Sequence, residues 1–313
     1  MSLAFVFPGQ GAQSVGMGQA LADAYPSARA VFDQVDEALG EPLSALIWNG
    51  DQDTLTLTAN AQPALMATSL AAMRALEAEG VTVDKASMVA GHSLGEYSAL
   101  AAAGAVSIAD CARLLRIRGT AMQQAVPVGQ GAMAAILGLD FETVSEVALA
   151  ASEAGVCQAA NDNDPGQVVV SGSTTAVEKA VELAKARGAK RAMLLPVSAP
   201  FHCALMQPAA EVMARALGEV EFHAPRVPLV ANVRASLVSD PDMIRTLLVE
   251  QITGSVRWRE SVAFMAAQGV TEIWEIGAGK ALSGMVRRTA RDVNVRAIGT
   301  PDDARAAAQA LAD

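Results

Sequence analysis

The pentapeptide Gly91-His92-Ser93-Leu94-Gly95 decides the fold that this sequence predicts. It has the G-x-S-x-G pattern of a nucleophile elbow, in which a serine occupies a sharp turn between a strand and a helix. Residues 87–90 before it are short and apolar, as in a buried strand, and residues 96–103 after it are good helix formers. Because strand, turn and helix are all indicated, we interpret Ser93 as a catalytic nucleophile and not as an ordinary capping serine.

Length, composition and charge limit the class of protein. With 313 residues, of which 52% are hydrophobic, the chain can form two domains or one α/β domain with an insertion. The net charge of −10 argues against broad nucleic-acid binding. No apolar run is long enough to span a bilayer, and the first one, at residues 3–7, is too short for a signal peptide. We therefore expect a cytoplasmic protein with neither a nucleic-acid nor a membrane partner.

Metal and nucleotide sites are not indicated. The cysteines Cys111, Cys157 and Cys203 are far apart and odd in number, which favours free thiols over a disulfide framework or a zinc site. No P-loop pattern occurs, and Ser14 stands where a dinucleotide-binding fingerprint needs its third glycine. We predict no metal and no permanently bound cofactor.

Strands and helices are predicted to alternate along most of the chain, which indicates a mainly parallel sheet. Ser107, with Asp110 three residues later, is a plausible N-cap for a helix that ends near residue 124. Another long helix is predicted at 60–79. The predicted strands of this sheet are 3–7, 87–90, 227–231, 272–276 and 295–298.

One segment, 128–197, departs from this alternation. Its predicted order is strand 132–138, helix 140–154, strand 156–160, loop 161–166, strand 167–171, helix 173–187 and strand 190–196. That order is the ferredoxin-like β-α-β-β-α-β arrangement. We therefore predict a large α/β domain from residues 1–127 and 198–313, a small inserted subdomain at 128–197, and a ligand site in the cleft between them.

A nucleophilic serine needs a general base, and the chain has three histidines. His92 adjoins Ser93, so its side chain should diverge and lie hydrogen-bonded under the turn. His223 precedes a strand in a setting without catalytic features. His202 lies where the chain leaves the small subdomain, at the expected edge of the cleft, which suits a general base. From spacing alone, a base and a packing residue are equally good interpretations of His202.

Several short segments carry a resemblance to a known family. In this order and spacing they resemble the bacterial malonyl-CoA:acyl carrier protein transacylases and the acyltransferase domains of polyketide synthases. The resemblance covers essentially the whole chain and implies an α/β-hydrolase-like domain with a ferredoxin-like insertion. The segments are Phe7-Pro8-Gly9-Gln10-Gly11-Ala12-Gln13, Gly91-His92-Ser93-Leu94-Gly95-Glu96, Arg118-Gly119, Ala199-Pro200-Phe201-His202, and Gln251 followed by Val256-Arg257-Trp258.

The activity implied by this resemblance is that of an S-malonyltransferase supplying fatty acid synthesis. A malonyl group would pass from malonyl-CoA to Ser93 as an ester, and then to the phosphopantetheine thiol of acyl carrier protein. The implied partners are thus a coenzyme A thioester and a carrier protein, and we expect the chain to be a monomer.

The resemblance also implies roles around the nucleophile. His202 would take the proton of Ser93, and Gln251 would orient His202 through its main-chain carbonyl. Gln10 and Leu94 would donate backbone N–H groups to the oxyanion. On the residues alone, Gln10 is a turn residue and Gln251 a polar residue near the end of a helix.

Two further residues would bind substrate in the family. Arg118 would hold the malonyl carboxylate by a two-point contact, and Asn161 would line the cleft. On the residues alone, Arg118 shares one helix with Arg113 and Arg116, and most helix arginines are solvated.

Two other function classes use the same features. An esterase with this elbow would need no Arg118 and would use water as its acceptor. A non-catalytic module that binds carrier proteins would not need the Ser93 and His202 pair. A transacylase subunit of malonate decarboxylase is a close relative within the first class.

Overall fold

The computed structural model describes residues 2–197 and 199–312, so the predicted domain limits at 1, 198 and 313 fall outside the described residues. Within that range six strands form a mainly parallel sheet, and four strands from residues 131–194 form a separate antiparallel sheet. The predicted α/β class is confirmed.

The elements follow in chain order, apart from short 3₁₀ turns. The strands are β1 (Leu3–Phe7), β2 (Met88–Gly91), β3 (Gly131–Leu137), β4 (Cys157–Asp164), β5 (Gln167–Ser173), β6 (Arg191–Leu194), β7 (Leu229–Ala231), β8 (Ser236–Val238), β9 (Glu272–Ile276) and β10 (Asn294–Ile298). The helices are α1 (Gln19–Ala24), α2 (Pro26–Leu39), α3 (Leu43–Asn49), α4 (Gln52–Thr56), α5 (Thr58–Ala78), α6 (Gly95–Ala102), α7 (Ile108–Gln124), α8 (Phe141–Ala151), α9 (Thr174–Ala186), α10 (Gln207–Gly218), α11 (Pro241–Thr253), α12 (Trp258–Ala267), α13 (Ala281–Thr289) and α14 (Pro301–Ala312). In the described part of the chain, no helix has both the length and the apolar character needed to cross a membrane.

The large sheet has the order β10-β9-β1-β2-β7-β8, and its neighbouring strands are parallel except for β7 and β8. The strand β1 is buried along its whole length, as expected for a strand covered on both faces. Phe7 of β1 lies beside Gly91 of β2. The loops that follow these two strands therefore begin side by side at the carboxyl edge of the sheet, where α/β folds place their ligand sites.

The helix α7 begins as the sequence predicts. The Ser107 hydroxyl accepts a hydrogen bond from the backbone N–H of Asp110 at 3.0 Å, which caps the first turn. Leu114, Leu115 and Arg118 lie on the buried face of the helix. Helical spacing of three and four residues thus carries Arg118 inward with two core leucines.

The small subdomain runs β3-α8-β4-β5-α9-β6, with sheet order β4-β5-β3-β6. All of its strand pairs are antiparallel. This is the predicted ferredoxin-like arrangement. Apolar side chains of α8 and α9, such as Val144, Val147 and Val177, form a separate core against the sheet.

The predicted loop at 161–166 is wrong, because β4 continues through Asp164 and the turn is confined to residues 165 and 166. These polar residues remain in a buried strand because the large domain supplies partners for them. The Asp162 carboxylate pairs with the Arg259 guanidinium at 2.9 Å, and the Asp164 carboxylate pairs with Arg288 at 2.7 Å. Buried carboxylates with such partners are tolerated in a strand. The same contacts tie the small sheet to the large domain.

Candidate active site

The turn at Ser93 has the geometry of a nucleophile elbow. Its backbone has φ 53°, a left-handed conformation that costs energy in a serine. A Cβ at Gly91 would lie 1.9 Å from the main chain of Gly95, so the turn closes only around glycine. The side chain of Asn232 holds the turn: its oxygen accepts from the N–H of Ser93 at 2.8 Å, and its nitrogen donates to the carbonyl of Gly91 at 2.7 Å.

His202 lies against the nucleophile. Its Nε2 is 2.7 Å from the Oγ of Ser93, and its Nδ1 is 2.8 Å from the main-chain oxygen of Gln251. Because a carbonyl oxygen only accepts, Nδ1 carries the proton and Nε2 is free to accept one. The chain thus brings together a Ser–His dyad whose imidazole is oriented by a backbone carbonyl, the contact that the resemblance implies for Gln251.

Burial sets the protonation state of this histidine. Loss of solvent, and then the nearby positive charge of Arg118, lower the pKa of His202 to about 3. The imidazole is therefore neutral at physiological pH and can act as a base.

Two residues that line the cleft with Ser93 have free backbone N–H groups. Those of Gln10 and Leu94 have no acceptor within the described residues, and both residues line the cleft. The loop carrying Gln10 can approach the elbow because a Cβ at Gly9 would lie 2.6 Å from the carbonyl oxygen of His92. Such a pair of free donors can receive the oxygen of a tetrahedral intermediate.

Arg118 is a buried cation, with 1% of its surface exposed. Its Nη1 donates to the side-chain oxygen of Gln62 at 2.7 Å, and its Nη2 donates to the side-chain oxygen of Gln251 at 2.8 Å and to the Oγ of Ser93 at 3.1 Å. All three acceptors are neutral, and its Nε has no partner in the described chain. A buried cation without a salt bridge favours an incoming anion.

The other two arginines of α7 face away from the site. Arg113 pairs with Asp110 at 3.0 Å, and Arg116 pairs with Glu41 and donates to the carbonyl of Ala59. Among the arginines of this helix, Arg118 alone reaches the nucleophile.

The cleft between the two subdomains has a volume of about 490 Å³. Asn161, on β4, lies in its wall, and Val256 of the large domain pairs with this residue across the junction. The large domain contributes Gln10, Ser93, Leu94, Arg118 and His202, and the small subdomain contributes Met133, Ala135, Asn161, Asn163, Gln167 and Val169.

The remaining histidines do not reach the Ser93 hydroxyl. His92 lies partly buried behind the elbow, where its Nε2 is 2.9 Å from the side-chain oxygen of Asn163. His223 has a side chain that is 64% exposed and lies 4.0 Å from Glu221. Cys203 is buried, and its thiol donates to the carbonyl of Pro200.

Three buried polar residues of the site were not singled out by the sequence analysis. Gln62 holds Arg118, Asn232 holds the elbow, and Glu96 accepts a hydrogen bond from Gln251 at 2.5 Å. A polar side chain within the apolar run of α5 was the one available indication for Gln62. Asn232 gave no such indication, because the turn that it holds is distant in sequence. Glu96 ends one of the segments that resemble the family, but nothing local indicated its role, because its partner Gln251 lies 155 residues away.

No group of three or more metal-ligating side chains occurs within the residues that the structure describes. The absence of a metal or a permanent cofactor stays a prediction.

Comparison with known proteins identifies the family. The sequence profile described as "acyl transferase domain" matches residues 4–307. The chain belongs to the acyl transferase family. This acyl transferase is 47% identical over 310 residues to the malonyl CoA-acyl carrier protein transacylase of Bacillus subtilis, covering 99% of this chain and 97% of the relative.

Solved structures agree with this assignment. The acyl transferase superposes on the acyl-carrier-protein-S-malonyltransferase of Bartonella henselae with a TM-score of 0.98, at 55% identity and complete coverage of both chains. It also matches a malonyl-transacylase solved in complex with a type II polyketide synthase acyl carrier protein, with a TM-score of 0.96 and 41% identity. That match covers 99% of this chain and all of the other.

Proposed function

We propose that this acyl transferase moves a malonyl group from malonyl-CoA to the phosphopantetheine thiol of acyl carrier protein through an ester on Ser93. The names of the relatives support this donor and acceptor. The observation that carries the proposal is the position of Arg118, a buried cation without a salt bridge in the described chain, 3.1 Å from the Ser93 hydroxyl. A nucleophile beside a carboxylate receptor suits an acyl group that ends in a carboxylate.

In the first half-reaction, the Oγ of Ser93 attacks the thioester carbonyl carbon while the Nε2 of His202 takes the hydroxyl proton. The backbone N–H groups of Gln10 and Leu94 stabilise the resulting oxyanion. Collapse of this intermediate breaks the C–S bond, and His202 returns the proton to the departing coenzyme A thiol. The phosphopantetheine thiol then attacks the malonyl ester, with His202 first as base and then as acid, and the Ser93 hydroxyl is restored.

The distinction from an esterase lies in the acceptor. With malonyl-CoA and holo-acyl carrier protein, we expect malonyl carrier protein as the main product. Mass spectrometry of the carrier protein, with a parallel assay of free malonate, measures both outcomes. Release of malonate at the rate of coenzyme A formation, with the carrier protein unloaded, would assign the chain to the hydrolases.

Replacing Arg118 by alanine should change which acyl group is accepted. The malonyl carboxylate must leave water to enter the cleft, and without the guanidinium it would be buried unpaired. Loss of such a partner costs on the order of 2–5 kcal/mol, or about 30- to 4,000-fold in kcat/KM for malonyl-CoA. Acetyl-CoA has no carboxylate and should lose little.

The test is the ratio of kcat/KM for malonyl-CoA to that for acetyl-CoA. Arg118→Lys should restore part of the ratio, since lysine offers a charge without the planar fork. Arg113→Ala is the matched control on the same helix, because that side chain faces solvent. An unchanged ratio in Arg118→Ala would show that Arg118 does not receive the carboxylate.

Acylation should not weaken as the pH falls from 8 to 5. Because burial lowers the pKa of His202 to about 3, the imidazole stays unprotonated throughout this range, and it gains a proton only as the pH approaches 3. Single-turnover acylation by malonyl-CoA, followed by rapid quench and mass spectrometry, measures this rate. A fall of tenfold or more with a midpoint near pH 6.5 would indicate a histidine with an ordinary pKa.

We also place the chain in the cytoplasm as a monomer. The three cysteines are free and buried in the described structure, which is compatible with a reducing compartment. Sedimentation of the purified chain at several concentrations tests the monomer.

A further inference from the structure

Glu96 is a buried acid beside the nucleophile elbow, and it has no role in the transfer steps described under the proposed function. It is the second residue of α6, directly behind the elbow, with 1% of its surface exposed. It forms no salt bridge with any described residue, so the buried carboxyl is not explained by an ion pair with Arg118. Its Oε2 instead accepts a hydrogen bond from the Nε2 of Gln251 at 2.5 Å.

Gln251 forms hydrogen bonds with several groups of the site through both its main chain and its side chain. Its main-chain oxygen accepts from His202, and its side-chain oxygen accepts from Arg118. Its Nε2 donates to Glu96 and, at 3.0 Å, to the main-chain oxygen of Ser93. The backbone of Gln251 therefore orients the base His202, and its side-chain amide holds Arg118.

The direction of this amide matters. With the amide reversed, its oxygen would face the main-chain oxygen of Ser93, and its NH₂ group would face the donors of Arg118. Both of these contacts would be lost whatever the protonation state of Glu96. In the observed direction the carboxyl of Glu96 accepts from the Nε2 of Gln251 and holds the amide where its oxygen accepts from Arg118.

Burial favours the neutral form of this acid. Loss of solvent raises the pKa of Glu96 to about 8, against the opposing effects of Gln251, the backbone of Asn232 and the charge of Arg118. A protonated carboxyl still accepts through its carbonyl oxygen. Near neutral pH, Glu96 can thus hold Gln251 without cancelling the positive charge that the substrate needs.

We propose that Glu96 is a positioning residue of the transfer reaction: it fixes the side-chain amide of Gln251, and this amide holds Arg118 beside Ser93 for the substrate carboxylate. The inference rests on the proposed function. It assigns specificity for the charged acyl group to a residue that does not line the cleft.

The test uses the full chain with Glu96→Ala and Glu96→Gln. We expect Glu96→Ala to lower kcat/KM for malonyl-CoA by about 10- to 100-fold, because small misplacements of a binding group have effects of this size. The value for acetyl-CoA should stay within about threefold, since His202 is held by the backbone of Gln251 and not by its amide. Glu96→Gln should keep kcat/KM for malonyl-CoA within about threefold of the wild-type value, because the Oε1 of the new glutamine can accept from Gln251.

A double-mutant cycle with Gln251→Ala tests whether Glu96 acts through the side-chain amide of Gln251. That substitution keeps the main-chain oxygen for His202 and removes the amide. If Glu96 acts through the amide, adding Glu96→Ala to Gln251→Ala should change the malonyl-to-acetyl ratio by less than about twofold. Ser98→Ala is the matched control, a buried neighbour on α6 whose hydroxyl has no partner within the described residues.

The inference would be overturned if Glu96→Ala lowered kcat/KM equally for malonyl-CoA and acetyl-CoA. It would also be overturned if the effects of Glu96→Ala and Gln251→Ala on the malonyl-to-acetyl ratio were additive. If circular dichroism shows that Glu96→Ala does not fold, Glu96→Met replaces it, because methionine keeps the side-chain volume and removes the carboxyl acceptor. The same changes in kcat/KM are expected for this variant. Loading of malonyl on wild-type Ser93 is measured in parallel. Its absence would overturn the proposed function, whereas normal loading with an unchanged ratio in the variants would overturn the role of Glu96 alone.

Discussion

Ser93→Ala is expected to lower malonyl transfer by about 10⁴-fold or more, because no other group can form the ester. The fold should survive. Alanine and serine share the Cβ that limits the left-handed backbone at this position, and Asn232 holds the turn through main-chain atoms of residues 91 and 93. The measurement is the initial rate of malonyl carrier protein formation, with circular dichroism and the thermal midpoint as checks on folding. Transfer by the variant at the wild-type rate would exclude Ser93 as the nucleophile.

His202→Ala is expected to slow the acylation of Ser93 by about 10²- to 10⁴-fold, the usual effect of removing a general base. The reason is geometric: its Nε2 lies 2.7 Å from the Ser93 hydroxyl, and burial keeps the imidazole neutral. Single-turnover mass spectrometry with malonyl-CoA measures the acylation rate directly.

The control for this experiment is His223→Ala. That histidine is exposed and is not among the residues that line the cleft, so the variant should acylate at nearly the wild-type rate. If His223→Ala were the crippled variant and His202→Ala the active one, the assignment of the base would be reversed.

Local patterns were sufficient to predict much of the large domain. The elbow needs two glycines and a serine between an apolar strand and a helix, and all of these signals lie within residues 87–103. The cap of α7 is equally local, because Ser107 and Asp110 are neighbours in one turn. Where the determining residues are contiguous, the sequence alone indicates the local structure.

The incorrect loop at 161–166 shows where local reasoning fails. Asn, Asp, Pro and Gly in succession favour a turn when nothing else binds the side chains. Here Arg259 and Arg288, more than 90 residues further along the chain, pair with Asp162 and Asp164 and allow these residues to remain in a strand. Tertiary partners overrode the turn propensity.

In the candidate site, too, some residues are indicated by local sequence and others only by contacts with distant residues. Ser93 could be singled out from a motif. The short list of histidines made His202 the best candidate for the base, but only the family resemblance favoured that role over a packing role. Asn232 could not, because its function depends on contacts with an elbow 139 residues away. The inward direction of Arg118 also depended on helix packing and on Gln62, 56 residues away. Only the family resemblance distinguished Arg118 from Arg113 and Arg116 on the same helix.

The proposed reaction requires that malonyl-CoA load a malonyl group on Ser93. The most direct measurement is the intact mass of the chain after brief exposure to malonyl-CoA, followed by peptide mapping. We predict a gain of one malonyl group on the peptide that contains Ser93, its removal on addition of holo-acyl carrier protein, and no gain in Ser93→Ala. No gain in the wild-type chain, or a malonyl group on any residue other than Ser93, would contradict the account.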